Sequence, residues 1–172
     1  FNRNWPALRA VDAQLRFYNR GLKIRALRGD IRGVGLDTAE ASIENLWRPR
    51  LQIDGDLSGS LPAMHALMVE SPLLSADSPL AGFDWEGPGE VSLSLYFPFQ
   101  RQPPEVSGAL RVDGATLTLP TPAIRLTDLR GRVDFDGDGL RWDGLRGRFN
   151  DRPLVSRAVS VRADNLQIGR AS

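Results

Sequence analysis

The stretch Val11-Asp12-Ala13-Gln14-Leu15-Arg16-Phe17-Tyr18-Asn19-Arg20-Gly21-Leu22-Lys23-Ile24-Arg25-Ala26 decides the fold class. Apolar Val11, Ala13, Leu15 and Phe17 alternate with Asp12, Gln14, Arg16 and Tyr18, the period-two mark of a strand with one buried face. A short polar turn, Asn19-Arg20-Gly21, follows, and the alternation restarts at Leu22, Ile24 and Ala26, so the segment reads as a β-hairpin. Further runs of the same kind lie at 39–43, 51–57, 91–97, 106–112, 116–119, 124–126, 133–135, 140–142 and 159–161. Gly-containing breaks such as Val112-Asp113-Gly114-Ala115 and Asp136-Gly137-Asp138-Gly139 separate them. The expected fold is all-β, a mostly antiparallel meander of repeated hairpins.

One segment departs from the period of two. Residues 60–70 carry apolar Leu61, Met64, Leu67 and Met68 at helical spacing, with Ser60 as a cap and Pro62 in the first turn, where its missing N–H costs little. Ser71-Pro72 ends it, because the residue before proline avoids the α region. One short α-helix near 61–70 is expected, packed at an end of the trough or inside it. Residues 71–90, with Pro72, Pro79 and Pro88, read as an irregular connection. The organisation expected is an N-terminal hairpin repeat at 1–58, helix and connection at 59–90, and C-terminal hairpin repeats at 91–172, all one structural unit cut from a larger protein.

The hairpins repeat. GLKIRALRGDI at 21–31 aligns with GLRWDGLRGRF at 139–149, an offset of 118 positions (139 − 21). The same offset sets Leu15 on Val133, Phe17 on Phe135, Ala13 on Gly131, Leu36 on Leu154, Ala41 on Val159 and Ile43 on Val161. Hairpins with one apolar face each can close as two packed sheets. They can also curl into a trough with an open apolar face. Several hundred Å² of exposed apolar surface costs on the order of 10 kcal/mol, so a protein keeps an open face only where something apolar occupies it.

Composition narrows the chemistry. The net charge of +1 over 172 residues gives no field that argues for nucleic acid or an anionic membrane. Lys23 is the only lysine, and cysteine is absent, which removes disulfides and thiolate chemistry from this stretch. The chain opens at Phe1 with no apolar leader or spanning stretch, as expected of an internal slice of something larger.

Each candidate motif has an ordinary competing reading. Asp134-Phe135-Asp136-Gly137-Asp138-Gly139 starts like a calcium loop, but position twelve is Leu145, so a polar turn is expected. His65, the sole histidine, has no partner at triad or metal-ligand spacing and reads as a surface or boundary residue of the helix. Asp84, Glu86 and Glu90 could pair as in glycoside hydrolysis but read as solvated loop carboxylates. Trp142 reads as inward, in phase with Leu140, while Trp5, Trp47 and Trp85 could cap sheet edges or form a sugar platform. No catalytic residue, metal site or cofactor is expected.

The arrangement resembles the AsmA-like family of Gram-negative envelope proteins, most closely its YhdP branch. The residues that carry the resemblance are Asn4-Trp5-Pro6 with the hairpin at 15–29, Val34-Gly35-Leu36, Ala39-Glu40-Ala41-Ser42-Ile43 and Leu51-Gln52-Ile53-Asp54-Gly55. Glu70-Ser71-Pro72-Leu73, Leu93-Ser94-Leu95-Tyr96-Phe97-Pro98 and Leu129-Arg130-Gly131-Arg132-Val133-Asp134-Phe135 complete the set. The resemblance implies that the hairpins form a curved sheet, an open groove or half-barrel, within a long periplasmic β-groove, anchored in the inner membrane, that bridges to the outer membrane and lets phospholipid acyl chains slide along an apolar channel. This chain would be a non-catalytic internal segment of it, joined to neighbouring β repeats. The candidates for lining that groove are Leu15, Phe17, Leu22, Ile24, Leu51, Ile53, Leu93, Leu95, Phe97, Leu117, Leu119, Val133, Phe135, Leu140 and Trp142. The same side chains could instead pack as a closed structural or adhesive β module, and the tryptophans keep a carbohydrate-binding module open.

Overall fold

A computed structural model gives the fold and describes residues 7–71, 82–98, 105–120, 123–157 and 159–162. Trp5 and the prolines at 72 and 79 lie outside these residues.

Twelve strands form one sheet: β1 (Arg9–Tyr18), β2 (Gly21–Ile31), β3 (Val34–Ile43), β4 (Leu51–Ser60), β5 (Asp84–Glu86), β6 (Pro88–Phe97), β7 (Glu105–Pro120), β8 (Ala123–Asp136), β9 (Gly139–Trp142), β10 (Arg146–Phe149), β11 (Arg152–Val155) and β12 (Val159–Arg162). Their order is β1-β2-β3-β4-β6-β7-β8-β10-β11, with β5 beside β7, and β9 between β8 and β12. Each pairing is antiparallel, and the path never returns to β1, so the sheet is open. The all-β class follows from the alternation, and the unclosed antiparallel sheet is the architecture the family resemblance implies.

Two expected breaks are bulges instead. Residues 106–119 form the single strand β7, because Gly114, at φ 78°, takes up one extra residue between the pairs Asp113–Arg130 and Ala115–Leu129. Residues 124–135 likewise form the single strand β8, with Asp128 at φ 52° in its bulge. Strand also reaches into the stretch read as irregular: β5 is too short to show a period, and Pro88 opens β6 as a first strand residue, where no inner ladder bond is lost.

The helix α1 (Leu61–Glu70) has the expected bounds. Ser60 is extended (φ −77°, ψ 137°) and its Oγ accepts from the Ala63 amide at 3.4 Å. The Leu61 amide donates to the Gly87 carbonyl at 2.8 Å, tying the first turn to the β5–β6 junction. At the other end the Ser71 amide donates to Leu67 O at 3.1 Å and its hydroxyl to Met68 O at 2.9 Å. Leu61 and Met64 are buried with Val34, Val112, Ala115 and Leu129, and this cluster is the core. Leu57, Trp85, Val91 and Leu110 pack around it. Met68, expected on the apolar stripe, is 37% exposed.

The 118-residue offset holds in the hydrogen-bonded ladder. Adding 118 to both partners of Phe17–Leu22, Leu15–Ile24, Ile24–Ala41 and Ile31–Val34 gives Phe135–Leu140, Val133–Trp142, Trp142–Val159 and Phe149–Arg152, all of them pairs in the sheet. The counterpart of β2 is split: β9 and β10 both lie along β8, with a bend at 143–145 between them.

Candidate functional site: the apolar face of the sheet

Residues directly opposite each other in an antiparallel ladder share a face, so the registers define rows of side chains across the sheet. The first row is Phe17, Leu22, Ile43, Leu51 and Phe97. The second is Leu15, Ile24, Ala41, Ile53, Leu95 and Val106. The third runs Ala13, Ala26, Ala39, Gly55, Leu93, Gly108, Phe135 and Leu140. A fourth, Leu36, Leu57, Val91, Leu110, Val133 and Trp142, borders the helix cluster.

These rows bring together most of the candidates read from sequence on one side of the sheet. Leu15 and Phe17 are 56% and 69% exposed on edge strand β1. Leu22, Ile24, Leu51, Ile53, Leu93, Phe97, Val133, Phe135, Leu140 and Trp142 are half-buried. Leu95, by contrast, is buried at 5% exposure. Leu117 packs on the core around α1, and Leu119 lies two residues further along β7, opposite Ile124. Ala41, Ile43, Val91, Val106 and Leu110, which lie in the alternating runs but outside the candidate set, share this face by register. At the third row the Phe135 ring lies against Gly108, where a β-carbon would meet its Cε1 at 3.2 Å.

The opposite face is polar and already satisfied. Ser94 Oγ donates to Asp54 Oδ1 at 2.7 Å and Gln52 Nε2 to Asp54 Oδ2 at 2.9 Å. Ser92 Oγ donates to Asp56 Oδ1 at 2.8 Å and Thr38 Oγ1 to Asp56 Oδ2 at 3.2 Å. A depression of about 760 Å³ opens over this network, with Arg25, Glu40, Arg132, Asp134 and Arg141 among its lining. Arg132 pairs with Asp134, and Arg141 with Asp136, so the charge is largely consumed internally.

The catalytic and metal suspects do not converge. Asp84 and Glu86 on β5 and Glu90 on β6 lie on strands and not in the expected loop; Glu86 pairs with Arg125 at 3.5 Å and Glu90 with Arg111 at 3.8 Å, so these two carboxylates are held by separate arginines. His65 is half-buried on α1. Among the described residues no group of three or more His, Cys, Asp or Glu is placed to hold a metal ion. The Asp136 carboxylate accepts the amides of Asp138 (2.9 Å) and Gly139 (3.2 Å), which makes the acidic run the turn between β8 and β9. Those amides, the Asp138 bond foremost, together with Arg141 hold its pKa below the ordinary aspartate range. Trp47 is 82% exposed in the β3–β4 loop, Trp85 is half-buried against the core, and Trp142 donates Nε1–H to Ser156 Oγ at 2.8 Å. They stand on three separate elements and make no common platform.

An open antiparallel sheet, apolar along one face, polar along the other and repeating its register, defines a class of extended β-repeat proteins. The model of the YhdP protein family matches residues 1–169, and the chain belongs to that family. It is 26% identical over 155 residues to the intermembrane phospholipid transporter YhdP of Escherichia coli (strain K12), covering 90% of this chain and 12% of that protein. The chain thus spans about an eighth of the length of this curated relative. No solved structure matches it. Among the described residues no helix is long and apolar enough to cross a membrane.

Proposed function

We propose that this chain is a non-catalytic segment of a periplasmic lipid conduit whose apolar face holds phospholipid acyl chains during transport between inner and outer membranes. The supporting observation is the set of cross-strand apolar rows, Phe17–Leu22–Ile43–Leu51–Phe97 foremost, that lie beyond the reach of the helix cluster. From Leu51 to Gly55 the lane is four residues deep, roughly 13 Å, wide enough for paired acyl chains. Membership of the YhdP family, and the phospholipid-transporter name of the Escherichia coli relative, support lipid as the ligand. Neighbouring β repeats would take the outer edge of β1, as β7 takes that edge of its counterpart β8. Both membranes would be met through other parts of the parent protein.

The test is a photo-crosslinking side chain at Leu93 and, separately, at Ser94 of the full-length protein in cells. These neighbours point to opposite faces of β6. Phospholipid captured at Leu93 and not at Ser94 supports the conduit. Capture at neither, in folded protein, sinks it in favour of a closed structural module.

A further inference from the structure

The first apolar row ends at a loop pair of distinctive chemistry. The β1–β2 turn carries Arg20, and the β3–β4 loop carries Leu46, Trp47, Arg48 and Arg50. The two are docked, since the Leu46 amide donates to the Arg20 carbonyl at 2.8 Å. The loop is internally ordered: the Trp47 amide donates to Asn45 Oδ1 at 3.0 Å and the Arg48 amide to Asn45 O at 3.1 Å. Its side chains nevertheless face water, with Trp47 at 82% and Leu46 at 47% exposure, and Arg20, Arg48 and Arg50 exposed.

Among the described residues, seven arginines outside these loops are held in ion pairs, while Arg9, Arg16, Arg25, Arg146, Arg148 and Arg152 stand singly along the strands without one. Arg32 pairs with Glu70, Arg111 with Glu90, Arg125 with Glu86, and Arg130 with Asp113 and Asp128. Among the described residues no ion pair joins Arg20, Arg48 or Arg50 to a carboxylate, and Glu44 is the one acidic residue in the two loops. Three unpaired guanidinium groups beside an exposed indole, directly off the end of an apolar row, match the boundary between acyl chain and phosphate in a phospholipid. Guanidinium groups bind phosphate oxygens through paired charge-assisted hydrogen bonds, and indoles favour the apolar–polar boundary.

Resting on the conduit reading, we propose that Arg20, Arg48 and Arg50, with Trp47, form a headgroup site on the rim, holding the phosphate of a phospholipid whose acyl chains lie on the Phe17–Leu22–Ile43–Leu51 row. The site selects for phosphate-bearing lipid over neutral diacylglycerol and leaves the rest of the headgroup in water. In the second repeat the position of Arg20 is taken by Asp138 (20 + 118), so the grip is local to the first repeat.

The experiment places a benzophenone side chain at Leu51 of the full-length protein and compares capture of radiolabelled phosphatidylglycerol and diacylglycerol. The same side chain at Leu140, on β9, reports on the second repeat. R20Q/R48Q/R50Q should lower phosphatidylglycerol capture at Leu51 by about tenfold, the scale of one or two lost charge-assisted contacts. Diacylglycerol capture at Leu51 and phosphatidylglycerol capture at Leu140 should not change, and R20K/R48K/R50K should recover most of the loss. No loss, or an equal loss for both lipids, overturns the headgroup site while leaving the conduit standing. Capture of neither lipid at Leu51 in the unmodified protein overturns both.

Discussion

Ala10 and Asp128, 118 positions apart (128 − 10), hold nearly the same backbone angle, φ 50° and 52°. Each sits in a bulge where two strand residues face a single glycine, Gly29 for the first and Gly147 for the second. The bend is part of the repeated unit, and alanine is a poor residue for it, since a β-carbon in the left-handed region costs roughly 1–2 kcal/mol. Ala10→Gly is therefore expected to leave the protein as stable or to stabilise it by up to about 1 kcal/mol, with glycine's unfolded-state entropy opposing the gain. Asp128→Val, which adds β-branching at the same angle, is expected to destabilise by about 1–2 kcal/mol. Urea midpoints at unchanged slope check both.

The helix needs a glycine beneath it. A β-carbon on Gly89 would collide with the Leu61 side chain, so Gly89→Ala should destabilise by about 1–3 kcal/mol through overpacking. Leu61→Ala removes the obstacle, and the double variant should be more stable than the sum of the two single losses implies. A double-mutant cycle measures this coupling; strict additivity would mean that α1 does not sit on this strand in solution.

Met64 and Met68 lie four residues apart on α1 and should differ sharply. Met64 is 6% exposed and Met68 37%, so Met64→Ala should cost about 2–5 kcal/mol and Met68→Ala less than about 1 kcal/mol. Thermal or urea unfolding distinguishes them.

Acid should act through Asp136. Its folded-state pKa lies below the ordinary 3.8, chiefly through the Asp138 amide and then the Arg141 side chain. A depressed carboxylate contributes stability that is present above the unfolded-state pKa and lost as pH falls through the folded-state value. Asp136→Asn should therefore be less stable than the parent near neutral pH, with the gap closing below about pH 4. A gap that stays constant from pH 7 to pH 2 would remove the carboxylate's charge from the account.

Much of this was legible in the sequence because period-two alternation and the helix signals at Ser60, Pro62 and Ser71 act over a few residues. The all-β class, the bounds of α1 and the 118-residue offset follow from them. The bulges at Gly114 and Asp128 were not legible, since a glycine or aspartate that bends a strand looks the same as one that ends it. Strands β10 and β11 carry too little alternation in Arg146-Gly147-Arg148-Phe149 and Arg152-Pro153-Leu154-Val155 to declare themselves. On the apolar face, phase identified Leu22 and Ile24. It did not separate Leu95, closed over by its neighbours, from Phe17, open at the sheet edge. That distinction depends on which strands lie alongside, and so on contacts between residues distant in the chain. The loop arginines escaped notice because their meaning comes from the apolar row they terminate.

The repeating ladder has a consequence for how such a protein is measured out. Passing from β1 to its counterpart β8 crosses six strand-to-strand steps, through β2, β3, β4, β6 and β7. At about 4.8 Å per step, each 118-residue unit advances the sheet by roughly 29 Å. Reach is then a counted quantity: lengthening the protein by one whole unit extends it by a fixed stride and returns every apolar row to phase. Adding half a unit would set a bulged strand against an unbulged one and break the track.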